Sequence, residues 1–520
     1  MLCQTPQLGF IILNAKFFQS TVIVSLLTLL SRLLGFVRDM LIARTLGVEL
    51  ATDAFFIAFK VPNLFRRLFV EGAFAHAFIP VLADYQAAGD KIQVQTFMAN
   101  SAGALVLLMT LVSLIGMVIA PLLIWVLAPG FAIQVELREL TAVLLQWCMP
   151  YLLFVTLVAW AGSVLNAHGH FAMPAFTPAL LNIVMIITML VVMPSSSQPV
   201  TLLAASVSVA GLLQLIVQLP LLARLNLLRV RFDFKHPGVR RFFSLLLPTI
   251  FSVSVTQINL LLDTLVASLL SPGSVSWLYY SDRLVEFPLA VLGMALAAVI
   301  LPNLAKHHAA NDVLAFQQAL NAGVRMVWLL ALPATAGLIV LAKPVLTTLF
   351  QYHEFTIHDV NQTSQSLIAY ALGLPAYMLI KVLIPGFTSR QQNSLLVRYG
   401  IYAMLVSLFG NVLAIPFAHA GLALATSLGA WCNAGLLLRK LHQDKLLSMG
   451  KHEWVFFVRL GLAVFVMVAV LVNYVDATMW FTWSAWTRIA WLAFWVGVTM
   501  LLYGASLLSL GFKKRDMGLH

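Results

Sequence analysis

Long apolar runs separated by short polar or turn-rich connections fill almost the whole chain. They fall at about 20–46, 53–83, 97–127, 140–165, 174–193, 201–223, 242–270, 275–302, 324–350, 366–387, 396–416, 420–438, 455–475 and 486–510. A run of about 20 residues crosses a hydrocarbon layer of about 30 Å as a helix rising 1.5 Å per residue. Fourteen transmembrane helices are therefore expected. The runs are continuous and do not alternate at every second residue, which argues for helices over a β-barrel. Turn signals divide them at Pro129-Gly130, from Pro194 to Pro199, at Ser271-Pro272-Gly273 and over His419–Gly421.

Against this background one polar stretch stands out, from Ser31 to Glu71. It carries Arg32, Arg38, Asp39, Asp53, Lys60, Arg66, Arg67 and Glu71 within two apolar segments. A charge at bilayer depth costs about 2.5–3.5 kcal/mol, so eight facing lipid would cost on the order of 20–28 kcal/mol. They are tolerable only facing a wet interior, paired, or at the interface. On an unkinked helix Arg32, Gly35 and Asp39 share one face, and Asp53, Lys60, Arg67 and Glu71 form a second stripe that Pro62 disturbs. A polar cavity between membrane helices follows as the expectation.

Composition sharpens this picture. The chain is 61% hydrophobic and only 10% charged, and residues 140–223 hold no Asp, Glu, Lys or Arg, so it is a polytopic membrane protein and not a soluble domain. Its formal charge of +12 follows membrane orientation. With the amino terminus inside, the inside connections and tail carry nineteen Lys or Arg, whereas the outside connections carry only Arg138. Both termini are thus expected in the cytoplasm. No aromatic-basic platform for bases is present, and nucleic acid is not an expected partner. Cys3, Cys148 and Cys432 are scattered without pairing or metal spacing. Met1–Gln19 lacks the basic start and small-residue cleavage site of a signal peptide.

The chain repeats itself. AFIPVLADY (77–85) resembles AVILPNLAKH (298–307), with Pro80 over Pro302, and RDMLIA (38–43) resembles LDTLVA (262–267), with Asp39 over Asp263. The fold class expected is an all-α polytopic membrane protein of two six-helix lobes related by an internal repeat, with two further carboxy-terminal helices and a cleft where the lobes meet. The expected divisions are a cytoplasmic extension (1–19), a first lobe (20–223), a basic linker (224–241), a second lobe (242–438), and helices 13 and 14 with a basic tail (439–520). Arg66-Arg67 fall over Pro288-Leu289, so the scaffold repeats and the charge does not.

In the second half, WLYYSDRLVEFP (277–288) places Asp282 and Glu286 at i,i+4 and Arg283 and Glu286 at i,i+3. This is either an internally satisfied salt-bridge knot or a second cavity wall. Tyr279 and Tyr280 suit a sugar contact or aromatic packing equally. Deep basic residues outnumber deep acids by only one, so net charge makes no anion trap. Residue type does favour an anion, because guanidinium groups grip phosphate bidentately and a neighbouring acid can steady the fork. Asp263 is alone in its apolar run. With Ser407, Asn411 or Thr426 it forms either a sodium or proton site or a neutral, hydrogen-bonded carboxyl. His353-Glu354 and His358 miss the zinc-protease spacing by one residue, and no Gly-rich phosphate loop with Lys occurs, so neither an enzyme nor direct ATP drive is expected. The linker RLNLLRVRFDFKHPGVRR (224–241) reads as an anchor against anionic lipid.

SRLLGFVRD (31–39), ATDAFFIAFKVPNLFRRLFVEGAF (51–74), GSVSWLYYSDRLVEFP (273–288) and LIPGFTSRQ (383–391) together resemble the lipid II flippase family, MurJ or MviN, of bacterial inner membranes. That family lies within the multidrug/oligosaccharidyl-lipid/polysaccharide exporter superfamily. The resemblance implies lipid II, the undecaprenyl-diphosphate-linked peptidoglycan precursor, as substrate, moved from the cytoplasmic to the periplasmic leaflet by alternating access. It implies that Arg32, Arg38, Arg66, Arg67 and Arg283 bind substrate, supported by Asp39, Asp53, Asp282 and Glu286. It also implies that the last two spans form a groove for the polyprenyl tail. No cofactor is expected apart from a candidate sodium or other monovalent cation at Asp263, Ser407, Asn411 and Thr426. Membrane lipids and cell-wall synthesis proteins are the further expected partners. The alternatives are an exporter of another polyprenyl-linked glycan or drug, and a non-transporting scaffold for cell-wall enzymes.

Overall fold

A computed structural model describes residues 6–68, 74–310, 312–447 and 451–513. Every regular element among these residues is helical. Contacts divide the chain into two units, 1–46 with 50–257 and 47–49 with 258–520. The first contains α1 (Pro6–Leu46), α2 (Leu50–Leu68), α3 (Phe74–Ala87), α4 (Lys91–Val118), α5 (Ala120–Leu127), α6 (Pro129–Ala132), α7 (Val135–Cys148), α8 (Tyr151–Ala167), α9 (Ala172–Ile187) and α10 (Pro199–Arg224). Helix α11 (Pro237–Ser268) carries the chain across the division. The second continues with α12 (Ser274–Ala309), α13 (Val313–Val340), α14 (Ala342–Leu349), α15 (Ile357–Ala371) and α16 (Leu374–Thr388). It ends with α17 (Asn393–Leu413), α18 (Ala418–Gln443), α19 (Lys451–Tyr474) and α20 (Ala485–Ser509).

Ten helical segments among the described residues are long and apolar enough to cross a membrane. They overlap the expected runs from 97–127 to 201–223 and from 324–350 to 486–510, with the segment for 324–350 lying at Val313–Val340. The four other runs lie on α1, on α2 with α3, on α11 and on α12. The chain is an all-α polytopic membrane protein. Residues 19 and 20, where the extension was expected to give way to the first span, sit inside the unbroken α1. Glu71 lies outside the described residues.

Several runs that read as single helices are broken, and proline sits at three of the breaks. Pro150 separates α7 from α8, Pro121 lies in the first turn of α5 after α4 ends, and Pro375 opens α16 after α15. Proline has no N–H to give the preceding turn, and it is well accommodated in a first turn where that donor is spare. Pro62 does not break α2, which continues through it to Leu68.

Inside lipid, helices associate through close packing and not through exclusion of water, so small residues mark the tightest contacts. Helices α17 and α18 show this. A Cβ added at Gly429 would stand 3.0 Å from the Ala403 carbonyl oxygen and the Ser407 Cβ. One added at Gly410 would stand 2.9 Å from the Ala425 Cβ. The first unit relies instead on an aromatic core, where Phe78 meets Phe74, Phe97 and Phe242 at ring separations of 5.3, 5.4 and 5.6 Å.

Helix α20 is held to its own unit at both ends. Arg488 is buried, and its Nη1 donates to the carbonyls of Thr347 and Gln351 at 3.3 and 3.1 Å, just where α14 ends. Its Nη2 donates to Phe481 at 3.2 Å. Carbonyls at a helix carboxy terminus lack intrahelical donors and carry partial negative charge, so a buried guanidinium satisfies both needs. Toward the other end, the Tyr503 hydroxyl donates to the Leu329 carbonyl of α13 at 2.8 Å. Beyond the end of α18, Asp444 accepts from Arg390 Nη1 and Lys440 Nζ at 2.9 and 2.7 Å. Partial burial of Asp444 disfavours its charge, but these two cations outweigh it and hold the carboxyl below its ordinary range.

Candidate functional site

In the first unit the polar centre is built where α1 packs against α9. Arg38 and Asp39 are 6% and 2% exposed, on a helix whose neighbours Leu33 and Val37 face outward. Arg38 Nε and Nη2 donate to Asp39 Oδ1 at 3.0 and 2.6 Å, and Nη1 donates to Asn182 Oδ1 at 2.9 Å. The Asn182 amide nitrogen in turn donates to the Ser31 carbonyl at 2.9 Å. Gly35 allows this approach, since its missing side chain faces the Asn182 amide. These bonds fix the guanidinium plane, and the Phe59 ring lies 5.8 Å from its carbon. A buried ion pair stands only when both partners gain further hydrogen bonds, and Asn182 supplies one.

The other residues of the polar stretch are disposed differently. Arg32 is exposed while Asp39 is buried, so the face they share by helical spacing is not one environment. Asp53 is 1% exposed in the first turn of α2, where backbone N–H groups favour a carboxylate. Lys60, Arg66 and Arg67 are half-buried, and Arg66 Nε donates to Asn63 Oδ1 at 3.0 Å. An apolar hollow of about 390 Å³ in this unit is lined by Ile23, Leu27, Phe171, Met173 and Leu221, with none of these charges in it.

In the second unit Arg283 forms the expected pair with Glu286, Nη1 to Oε2 at 2.6 Å, and lies 4.9 Å from the Tyr279 ring. Asp282 is half-buried one residue away. Tyr280 takes the packing role, fully buried against Phe350 and Phe355 at 5.2 and 5.5 Å. Asp263 is 7% exposed and sits with residues of α17 and α18. Asn411 Nδ2 donates to its Oδ1 at 2.8 Å and Thr426 Oγ1 to its Oδ2 at 3.3 Å. Ser407, one turn before Asn411, is fully buried. Its hydroxyl and Asn411 Oδ1 have no hydrogen-bond partner among the described residues. The close approach at Gly429 and Gly410 brings Asn411 and Thr426 to the same carboxylate.

The repeat therefore has a chemical counterpart. Asp39 and Asp263 are matched positions, and each is tied, through Arg38 or directly, to an asparagine from the fifth expected run of its half, Asn182 or Asn411. Where the first half has Arg38, the second has Leu262. Sequence reasoning missed Asn182 because it followed charge, and an amide in the charge-free stretch 140–223 gave none. Arg488 was missed because an arginine near the end of an apolar run usually reaches to the interface.

A family model described as the lipid II flippase MurJ matches residues 42–493. The chain belongs to the MurJ family. Among MurJ relatives, a probable lipid II flippase of Vibrio cholerae is 42% identical over 97% of this chain and 98% of its own. One from Haemophilus influenzae is 41% identical over 94% and 99%. A solved MurJ structure in an inward closed conformation is similar at TM-score 0.80 and 24% identity, covering 93% of this chain and 98% of that one. The fold likeness reaches beyond MurJ to an inward-facing multidrug resistance MATE family transporter of the MOP superfamily, at TM-score 0.68, 13% identity, and 82% and 98% coverage.

Proposed function

We infer that this chain is a lipid II flippase, a transporter and not an enzyme, which carries the peptidoglycan precursor from the cytoplasmic to the periplasmic leaflet of the bacterial inner membrane by alternating access. The observation that carries this reading is the match to relatives named as lipid II flippases along nearly the whole of both chains. The diphosphate is the part of lipid II that needs protein most, because its charges cannot cross hydrocarbon unaided. In the first unit Arg38 presents a guanidinium whose plane Asp39 and Asn182 have set, and Arg32 on α1 and Arg66 and Arg67 on α2 add further cations. In the second, Glu286 and Tyr279 orient Arg283. Asp53 and Asp282 complete the supporting acids. Preset forks lose less conformational entropy when they bind an anion.

Asp263 is the residue best suited to couple a cation to transport. Its carboxylate and the Thr426 hydroxyl, with the Ser407 hydroxyl and Asn411 Oδ1 that have no partner among the described residues, offer the oxygen-only set that a hard monovalent cation such as sodium prefers. These residues would hold the ion, which would supply charge compensation for the buried acid. Helices α19 and α20 are suited to lie beside the polyprenyl tail.

The test is translocation of lipid II in vesicles containing only this protein. Arg38→Ala and Arg283→Ala are each expected to lower the rate about tenfold or more, the equivalent of one charge-assisted hydrogen bond, with the melting temperature recorded alongside. Wild-type vesicles that move a drug or another polyprenyl-linked glycan but ignore lipid II would overturn the reading.

A further inference from the structure

The linker between α10 and α11 abandons helical geometry, and residues 227–233 carry no regular secondary structure. Leu228, Val230, Phe232 and Phe234 make an apolar row along the sequence, alternating with Arg229, Arg231, Asp233 and Lys235. The apolar row is not covered by protein, with exposures of 50%, 53%, 62% and 44%. The whole linker 224–241 holds six basic residues and one acid. That acid, Asp233, accepts the Lys235 backbone N–H at 2.9 Å in a local turn, and Arg241 is paired with Asp84 at 2.8 Å.

The linker is also fixed in depth. The Arg231 N–H donates to the Ala99 carbonyl of α4 at 2.9 Å. One turn further along, a Cβ at Gly103 would overlap the Arg231 carbonyl oxygen, so the glycine provides the seat. These two positions straddle the change in character of α4. Lys91, Gln93, Gln95, Thr96 and Asn100 precede it, whereas from Ala102 to Val118 only Thr110 and Ser113 among the side chains are polar. At 1.5 Å per residue the seat lies about 12–18 Å along the helix from Lys91. The seat thus lies at the polar end of the stretch of α4 long and apolar enough to cross a membrane. Exposed phenylalanines belong there, and so do arginines, provided that anionic groups meet them.

We propose that this linker is a binding element for anionic phospholipid, with Arg229 and Arg231 holding head-group phosphates and Phe232 and Phe234 lying among the acyl chains. The partner follows from the pairing of charge with apolar side chains at one depth. A soluble polyanion would engage the first and leave the second in water.

The full-length protein in non-ionic detergent tests this by thermal unfolding during titration with phosphatidylglycerol, phosphatidylcholine or inorganic phosphate. Phosphatidylglycerol is expected to raise the melting temperature, and the other two to leave it unchanged. Arg229→Gln/Arg231→Gln is expected to keep the lipid-free melting temperature and to need about thirtyfold more phosphatidylglycerol for the same shift, from the attraction typical of two basic residues near an anionic surface. Phe232→Ser/Phe234→Ser is expected to weaken the shift also, while Arg240→Gln, in the first turn of α11, retains it. An undiminished shift in the arginine variant overturns the proposal. So does an equal response to phosphatidylcholine, or a response to phosphate alone, which would indicate a simple anion site. The readout is lipid binding and not transport, so its failure leaves the flippase reading untouched.

Discussion

At the scale of single residues, the organising event is the burial of Arg38 with Asp39. The two charges nearly cancel, and their joint desolvation is offset by the fork on Asp39 and by Asn182. Removing one member is then worse than removing both, because a lone buried charge has no compensation. Asp39→Asn is expected to cost about 3–5 kcal/mol. Arg38→Met/Asp39→Leu is expected to cost clearly less, although transport is lost in both. Thermal unfolding in detergent compares them, and equal losses would mean that a buried Arg38 without its acid carries no penalty of its own. Arg38, Asp39 and Asp263 were legible in the sequence because a charge in an apolar run is conspicuous. Which charges are buried was not legible: Arg32 and Asp39 share a helical face by spacing, yet one is exposed and the other covered. Burial depends on what packs opposite, and α9 could not be assigned to α1 by periodicity.

Among elements, helix positions were readable from apolar length, and the breaks within them were not, although Pro121, Pro150 and Pro375 were in plain view. Proline inside a membrane helix is tolerated often enough, as Pro62 shows, that its presence does not decide the matter. The contact of α17 with α18 is the element-level feature on which the polar group at Asp263 depends. Gly429→Leu would drive a side chain into the Ala403 carbonyl and Ser407, which leaves no room without moving the helices apart. Overpacking of this kind costs about 1–3 kcal/mol. The variant is expected to melt at a lower temperature than wild type, and Gly435→Leu, where a Cβ meets nothing within 4 Å, is expected to match wild type. A Gly429→Leu protein as stable as wild type would show that the helices are not in register there.

At the scale of the whole molecule, the duplication was visible as two short matched segments, and the structure adds that the fifth run of each half brings an asparagine to its polar group, Asn182 to Arg38 and Asn411 to Asp263. A cation is written into one half and omitted from the other, a difference that scaffold similarity alone would conceal. The distribution of basic residues leads to an expectation for the assembled protein: both chain ends on the cytoplasmic side. Green fluorescent protein fused after the tail is expected to fluoresce and alkaline phosphatase at the same point to be inactive. An active phosphatase there would reverse the orientation.

Helix α20 is clasped near its start by Arg488 to the end of α14, and near its finish by Tyr503 to α13. Tied at two points, this helix is expected to ride along with α13 and α14 in any displacement of the second unit, so that a lipid chain resting on it would be towed rather than released.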